Sequence, residues 1–324
     1  MFEKELQVAV KAVREASVIC RAVQSSIAPD ALEKKDRSPV TIADFGSQAL
    51  VCRALGEAFP DDPIIAEEDS NELREPGNIE ILNKLIEEMR SILPGADKDE
   101  ICAWIDRGGA SEYSDRFWTL DPIDGTKGFL RGDQYAVSLS LIVAGELSVA
   151  ALACPNLPGE DDGMTGAVFC AERGKGAFVQ PVDGNGRRRK IRVSETADTT
   201  RIRFCESVES AHSSHSDSAR IAERLGIVAD PVRVDSQAKY AMVARGTGDA
   251  YLRLPKSAEY REKIWDHAGG VLVVTEAGGR VTDITGKPLD FTHGRCLDKN
   301  KGVIVSNGKI HDAILEAINA LKIG

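Results

Sequence analysis

Apolar residues recur at helical spacing through the first hundred residues of the chain. Residues 3–24 carry one apolar stripe with charged residues between its members, a pattern that predicts an amphipathic helix. The next periodic stretch predicts a helix from Asp44 to Phe59, since the residue before a proline disfavours the helical conformation. The charged segment 70–100 repeats apolar residues at the same spacing and predicts a further helix that partly covers the first domain.

The pattern changes to strands after residue 115. Between 115 and 193, runs rich in β-branched and aromatic residues are separated by glycine-containing turns, which predicts an antiparallel meander. After about residue 195, short strands alternate with helices, as in an α/β layer. A chain of 324 residues is comfortable for two cores. We therefore predict an N-terminal α+β domain over residues 1–195 and a C-terminal α/β domain over residues 196–324.

Composition and charge narrow the class of partner. The chain is 42% hydrophobic and 28% charged, as in folded globular proteins, and its formal net charge of −10 would repel a nucleic-acid backbone. We therefore expect no polymeric nucleic acid as a partner, whereas an anionic small molecule can still bind where local cations gather. No apolar run approaches the roughly 20 residues that a membrane span needs. We expect no membrane partner, and a monomer or weak oligomer.

The seven cysteines are scattered along the chain, and none forms a Cys-x-x-Cys pair. This spacing predicts reduced thiols inside the core, as is usual for cytoplasmic proteins. The start of the chain lacks the basic residues and apolar run of a signal peptide. Both observations favour the cytoplasm.

Two acidic clusters follow predicted buried strands. Residues 67–69 read Glu-Glu-Asp after a strand predicted at 64–66, and residues 121–126 read Asp-Pro-Ile-Asp-Gly-Thr after a strand predicted at 117–120. Mg²⁺ prefers carboxylate and carbonyl oxygens, so these acids and the Ile123 carbonyl are candidate ligands. Taken alone, the first cluster is explained as a solvated loop and the second as an ordinary turn. Because both clusters begin at strand ends, their acids can converge on one metal site.

Four further side chains have two explanations each. Asp44 and Asp266 both lie at predicted helix starts, where capping explains an aspartate, and a role in the magnesium site is compatible with capping. Lys239 and Arg253 are either solvated surface charges or cations that hold an anionic group of a ligand. Arginine offers a bidentate fork that suits an anion such as a phosphate.

Three longer segments carry a family resemblance. Residues 118–142 (WTLDPIDGTKGFLRGDQYAVSLSLI), 234–255 (VDSQAKYAMVARGTGDAYLRLP) and 262–270 (EKIWDHAGG) resemble the 3′(2′),5′-bisphosphate nucleotidase branch of the lithium-sensitive, Mg²⁺-dependent phosphatases. That superfamily includes inositol monophosphatase and fructose bisphosphatase. The resemblance covers most of the chain, whereas the Asp-Pro-Ile-Asp-Gly-Thr core alone would identify only the superfamily. It implies a layered α-β-α-β-α sandwich of two domains, with the active site in the cleft between them.

The resemblance also implies roles for individual residues. Asp44 and Thr126 would act on the nucleophilic water, while Thr126 and Asp266 would lie close to the scissile phosphate. The implied ligands of two or three Mg²⁺ ions are Glu67, Asp121, the Ile123 carbonyl, Asp124 and Asp266. The implied substrate contacts are Thr126, His212, Ser236, Lys239, Arg253 and Asp266. His212 is otherwise explained as a polar loop residue or, with His215, as a transition-metal pair.

The expected reaction follows from these assignments. We expect hydrolysis of a small nucleotide bisphosphate, adenosine 3′,5′-bisphosphate, to AMP and phosphate by in-line attack of a metal-activated water. The sulfated relative 3′-phosphoadenylyl sulfate is a further expected substrate, and the resemblance implies a place in sulfur metabolism and inhibition by Li⁺. Two alternatives stay open: an inositol phosphate 1-phosphatase of the same superfamily and a catalytically silent nucleotide sensor. One departure from the family pattern is Ala66, where relatives commonly carry glycine.

Overall fold

The computed structural model describes residues 1–27, 38–158, 165–208, 215–255, 257 and 259–324. Its helices are α1 (Glu3–Ser25), α2 (Ser38–Ala58), α3 (Ile79–Ile92), α4 (Lys98–Asp106), α5 (Thr126–Leu130), α6 (His215–Leu225), α7 (Ala238–Ala244), α8 (Ala268–Glu276) and α9 (His311–Leu321). Its strands are β1 (Ile64–Ala66), β2 (Arg116–Asp124), β3 (Ala136–Val143), β4 (Glu146–Pro158), β5 (Thr165–Glu172), β6 (Gly176–Pro181), β7 (Arg189–Lys190), β8 (Phe204–Glu206), β9 (Val232–Arg233), β10 (Ala250–Arg253), β11 (Arg280–Thr282) and β12 (Val303–Ser306).

Two sheets organise the described part of the chain. The larger sheet has the strand order β1-β2-β3-β4-β5-β6-β7, with β1 parallel to β2 and each later pair antiparallel. The smaller sheet is mixed, in the order β11-β12-β10-β8-β9, with β8 parallel to both of its neighbours. The predicted antiparallel meander is therefore confirmed, and the short strands predicted after residue 195 form a separate sheet.

Side-chain alternation along the strands separates three apolar layers. On β3, Leu139 joins the core formed with α1 and α2, whereas Ile142 joins the core formed with α7 and α8. On β12, Val303 and Val305 face α7 and α8, whereas Ile304 packs with α6 and α9. The layers therefore run α1/α2, large sheet, α7/α8, small sheet, α6/α9. This order confirms the α-β-α-β-α sandwich.

The N-terminal helices agree with the apolar pattern, with one omission. The stripe in residues 3–24 is the buried face of α1, and the helix predicted within 70–100 is α3, which buries Leu82, Leu85 and Met89. The short helix α4 was not predicted. Asp97 caps it in a capping box with Glu100, a pairing that the Asp-x-x-Glu spacing could have indicated.

The second helix begins earlier than predicted. α2 already includes Ser38, so Asp44 lies inside the helix and the expectation that Asp44 starts it is wrong. Pro39 does not break the helix, because it lies in the first turn, where a missing backbone N–H has no intrahelical acceptor to lose. Helix capping therefore does not explain Asp44.

The predicted domain division at residue 195 falls between the two sheets, whose strands span 64–190 and 204–306. The division itself stays a prediction.

All seven cysteines are free and six are buried, as predicted, while Cys296 is half-buried. None of the helices in the described residues combines the length and the apolar composition that crossing a bilayer requires.

Candidate active site

The acidic clusters meet at one edge of the large sheet. β1 is parallel to β2, and Ala66 lies opposite Leu120, so the next residues of the two strands, Glu67 and Asp121, emerge side by side. The predicted turn after Leu120 is wrong, because β2 continues through Asp124. A bulge accommodates the proline: two residues of β2, 122 and 123, oppose one residue of β3 between the neighbouring pairs.

α2 holds both acidic segments in place. The Ser47 hydroxyl donates to the carbonyl of Pro122 at 2.8 Å, and the Gln48 side chain both donates to and accepts from the backbone of Glu68, at 2.6 and 3.1 Å. Residues three and four apart share a helix face. Asp44 therefore lies on the face of α2 that contacts the two acidic segments.

The smaller sheet and its loops supply the opposite wall. Asp124 accepts a 2.5 Å hydrogen bond from the backbone amide of Gln237, in the loop before α7. Ser236 has a positive φ of 68°, which non-glycine residues rarely adopt. A side chain at Gly125 would bring its Cβ within 2.9 Å of the Ser236 Cβ, so the two segments are packed in direct contact. Strained residues of this kind concentrate at binding sites.

A cavity of about 390 Å³ lies between the two walls. It brings together most of the predicted site residues: Glu67, Asp121, Ile123, Asp124, Thr126, Ser236, Lys239, Arg253 and Asp266. Asp44 is not on the cavity wall. His212 lies outside the described residues, and the side chain of His215, its partner in the proposed histidine pair, is not described either.

Several carboxylates lie close together on the cavity wall. Burial raises the pKa of Glu67 to about 7, helped by the charges of Glu68 and Asp124. Burial likewise raises the pKa of Asp266 to about 7, with Asp124 acting in the same direction against the nearby His267 and Arg253. The cluster therefore favours either protons or a bound cation.

Asp121 and Asp44 are also buried beside negatively charged side chains. Burial and the charges of Glu67 and Asp124 raise the pKa of Asp121 well above its usual range. Burial and the charges of Glu68 and Glu67 do the same for the pKa of Asp44. Among the described residues, no hydrogen-bond donor reaches the buried Oδ1 atoms of Asp44 and Asp121.

This donor set fits a hard divalent cation. A buried carboxylate oxygen without a partner is costly, and a coordinated ion removes the cost. The candidate donors are carboxylates and one backbone carbonyl, the oxygen ligands that Mg²⁺ takes.

The capping explanation of Asp266 is wrong, because the residue that precedes α8 is His267 and its side chain makes no capping hydrogen bond.

Two buried cations line the same cavity. Lys239, on α7, is only 3% exposed and lies over the Tyr251 ring at 5.1 Å. Burial lowers the pKa of Lys239 to about 8, although the charge of Asp124 opposes the shift. Arg253, on β10, has a side chain that is 14% exposed and binds Glu262 at 3.1 Å. The alternative explanation of these residues as solvated surface charges is therefore wrong.

The structure also adds residues that the sequence analysis did not single out. Gln237 bonds to Ser138 at 2.9 Å and to the Trp265 carbonyl at 3.0 Å, and so joins β3 to the segment before α8. Glu262 binds Arg253, and His267 in turn binds Glu262. All three lie in the segments that carried the family resemblance, but neither their residue types nor their spacing singled them out in the sequence.

Fold and site together define a family. The profile of the inositol monophosphatase family matches residues 2–322, and the chain belongs to this family. Inositol monophosphatase from Anabaena (Nostoc) sp. PCC 7120 superimposes with a TM-score of 0.63 at 21% identity, covering 100% of this chain and 97% of that one, a likeness that concerns the fold.

Curated relatives are more similar in sequence. The chain is 42% identical to the 3′(2′),5′-bisphosphate nucleotidase of Emericella nidulans, over 98% of both proteins. It is 44% identical to the 3′(2′),5′-bisphosphate nucleotidase of Oryza sativa, over 98% of this chain and 94% of that protein. The resemblance inferred from three short segments therefore extends over nearly the whole length, and the family prediction is confirmed.

Proposed function

We propose that this protein is a Mg²⁺-dependent phosphomonoesterase that hydrolyses adenosine 3′,5′-bisphosphate to AMP and phosphate, and also acts on 3′-phosphoadenylyl sulfate. One observation carries the proposal: the acids of the large sheet line the same cavity as two buried cations, Lys239 on α7 and Arg253 on β10. Such a cavity suits a substrate with one phosphate at the metal and a second phosphate away from it. The bisphosphate nucleotidases of similar sequence support the choice of substrate.

The magnesium ligands in this proposal are the oxygens that meet at the edge of the large sheet, together with Asp266. They are Glu67, Asp121, the Ile123 carbonyl, Asp124 and Asp266, for two or three ions. When bound, Mg²⁺ would activate water and stabilise the charge that develops on the transferring phosphoryl group. Among the ligands, the Oδ1 of Asp121 most needs such an ion, because no donor in the described part of the chain reaches it.

The chain's own acid–base groups are Asp44 and Thr126. Thr126 begins α5 at the cavity wall, and its hydroxyl would orient the attacking water. Asp44 is not on the cavity wall, so its carboxylate would accept the proton that the water gives up through the Thr126 hydroxyl. The water attacks phosphorus in line with the leaving ribose oxygen, so no covalent phosphoenzyme is needed.

We assign substrate recognition mainly to α7, to the loop before it and to β10. Lys239 and Arg253 would hold the phosphate that does not react, since buried cations bind anions without competition from bulk water. Ser236 would add a hydroxyl contact, and Thr126 and Asp266 would lie at the scissile phosphate. The role of His212 rests on the family resemblance alone.

Several broader predictions belong to the same proposal. The two domains, 1–195 and 196–324, would meet at the cavity, so their relative position would shape the site. We also infer a cytoplasmic enzyme, a monomer or weak oligomer that Li⁺ inhibits and that works in sulfur metabolism. The buried free cysteines support the reducing compartment.

The proposal is tested by measuring phosphate release with Mg²⁺ and after EDTA treatment. Adenosine 3′,5′-bisphosphate, 3′-phosphoadenylyl sulfate and inositol 1,4-bisphosphate form the substrate panel. We expect Mg²⁺-dependent release from both nucleotides. Release from the inositol phosphate alone would contradict the nucleotide assignment, and tight nucleotide binding without release would indicate a silent sensor.

A further inference from the structure

Glu262 is a buried acid that has no direct role in the proposed reaction. It lies four residues before Asp266, and its side chain is 7% exposed. Both of its carboxylate oxygens lie within hydrogen-bonding distance of the Arg253 Nε, at 3.1 and 3.2 Å. A carboxylate in this position fixes the plane and direction of the guanidinium group.

His267 and Tyr240 hold Glu262 in place through a chain of hydrogen bonds. His267 Nε2 lies 3.1 Å from Glu262 Oε2, and His267 Nδ1 lies 2.7 Å from the Tyr240 hydroxyl. His267 is 1% exposed, and so is Tyr240. Because both ring nitrogens are engaged, the imidazole cannot rotate without losing a buried hydrogen bond. The chain Tyr240–His267–Glu262 is therefore a rigid support behind Arg253.

The charge balance around Arg253 shows why the support matters. A second acid, Asp266, lies 3.7 Å from Arg253 Nη2, and Asp266 is a proposed metal ligand. Without Glu262, the guanidinium would be drawn towards Asp266 and away from the non-reacting phosphate, which would weaken the cationic phosphate site. Glu262 supplies a competing negative charge. Burial alone would raise its pKa, but the hydrogen bond and charge of His267, together with Arg253, lower the pKa of Glu262 to about 2.

The donor atoms of Glu262, Asp266 and His267 lie within 4.8 Å of one another, a spacing that could suggest another metal site. Two of these three side chains already have close partners. Glu262 binds Arg253, and His267 binds Glu262 and Tyr240. The cluster is therefore better explained as the support of an arginine than as a cation site.

We propose that Glu262 is a positioning residue that directs the Arg253 guanidinium towards the non-reacting phosphate of the substrate, with His267 and Tyr240 holding Glu262 in place. The proposal rests on the proposed function, because it assumes a substrate with two phosphates. Glu262 then contributes to substrate discrimination without touching the substrate. A structural support alone would not discriminate between substrates with one and two phosphates.

The test compares a bisphosphate with the matching monophosphate. For Glu262→Ala, we expect KM for adenosine 3′,5′-bisphosphate to rise about tenfold or more, with kcat nearly unchanged. For adenosine 3′-monophosphate, kcat/KM should stay within about twofold of the wild-type value. Glu262→Gln should restore most of the bisphosphate KM, because the amide oxygen can still accept from the Arg253 Nε.

A double-mutant cycle adds a second readout. Arg253→Ala should raise the bisphosphate KM in the same way, and the double variant should be no worse than Arg253→Ala alone, since Glu262 acts through that arginine. Equal losses on both substrates, or additive effects in the double variant, would overturn the proposal. Thermal unfolding of each variant shows whether it is folded.

Two further measurements cover a variant that does not fold and a wild type that prefers another substrate. If Glu262→Ala does not fold, Tyr240→Phe tests the same support by removing only a hydroxyl; it should raise the bisphosphate KM selectively, and an unchanged KM counts against the proposal. If the wild type hydrolyses inositol 1,4-bisphosphate instead of the nucleotide, the proposed function fails. The positioning role is then scored on inositol 1,4-bisphosphate against inositol 1-monophosphate with the same variants and the same criteria.

Discussion

Asp124 accepts a 2.5 Å hydrogen bond from the backbone amide of Gln237, and this contact joins the end of β2 to the loop before α7. A proposed metal ligand on the large sheet is thereby tied to the segment that carries Ser236 and Lys239. The acid and cation walls of the cavity are consequently positioned by one another. Changes on either side should therefore affect both stability and turnover.

Gly125 tests this close packing. Gly125→Ala would place a Cβ 2.9 Å from the Ser236 Cβ, in a backbone with a φ of 93°. The left-handed backbone alone costs about 1–2 kcal/mol for an alanine. We expect a larger loss in the free energy of unfolding, measured by urea denaturation, and a fall in kcat/KM of about tenfold or more.

Gly132→Ala is the matched control. Gly132 also has a positive φ, of 74°, but a Cβ there would meet nothing within 4 Å. The Gly132→Ala variant should therefore lose only the backbone contribution to the free energy of unfolding, about 1–2 kcal/mol, and keep its activity. Equal effects of the two substitutions on stability and activity would show that contact between Gly125 and Ser236 is unimportant.

Asp121→Asn tests the metal site. The substitution keeps the shape of the side chain but removes the negative charge that a cation needs. At limiting Mg²⁺ we expect activity to fall by about 100-fold or more, with partial recovery at high Mg²⁺. Glu80→Gln, an exposed acid on α3, serves as the control and should leave the Mg²⁺ titration unchanged. Intact activity of Asp121→Asn under limiting Mg²⁺ would refute the metal assignment.

Lys239→Ala tests the second-phosphate site. We expect KM for adenosine 3′,5′-bisphosphate to rise about 10- to 100-fold, the range expected for one charge-assisted contact, with little change for the monophosphate. The pKa of Lys239 is about 8, so the wild-type KM should rise above that pH as the amine loses its charge. This rise should be absent from Lys239→Ala. The control is Lys309→Ala, a surface lysine; equal losses on both substrates for Lys239→Ala would refute the assignment.

The stability of the metal-free protein should depend on pH in a defined direction. Glu67 and Asp266 have ordinary pKa values of 4.5 and 3.8, and both are raised to about 7 in the fold. Between these values the folded protein binds more protons than the unfolded chain. Their contribution to stability is therefore present at low pH and is lost as pH rises towards 7. In EDTA, urea denaturation should show this contribution falling from pH 5 to pH 8.

Added Mg²⁺ should oppose that loss, because the cation competes with protons for the same carboxylates. The increase in Tm on adding Mg²⁺ should therefore be larger at pH 8 than at pH 6. A Glu67→Gln variant, with one titrating ligand removed, should show a smaller increase at both pH values. An increase in Tm that does not vary with pH would contradict the idea that these acids hold the ion.

The sequence predicted the elements and acids well because both follow local rules. Periodicity revealed α1 and the large sheet, and strand ends marked Glu67 and Asp121. Burial of polar residues was harder to predict, since Lys239 looks like any surface lysine until α7 packs against the smaller sheet. Asp44 was misplaced because Pro39 signals a helix start only when the following turns are known to be helical.

Contacts between distant segments could not be read from one sequence. Gln237 reaches Ser138, 99 residues away, and the hydrogen bond depends on how the two sheets pack. The bulge that keeps Asp124 in β2 depends on its pairing with Ala136 on the neighbouring strand. The support of Arg253 by Glu262 likewise appears only once β10 and the segment before α8 are adjacent.

The most direct measurement is the ratio of kcat/KM for adenosine 3′,5′-bisphosphate to that for inositol 1,4-bisphosphate, with one enzyme preparation at saturating Mg²⁺. Because we propose a nucleotide bisphosphate as the substrate, we expect this ratio to be about ten or more. AMP and phosphate should form in equal amounts. A ratio below one, or no phosphate from the nucleotide, would contradict the account.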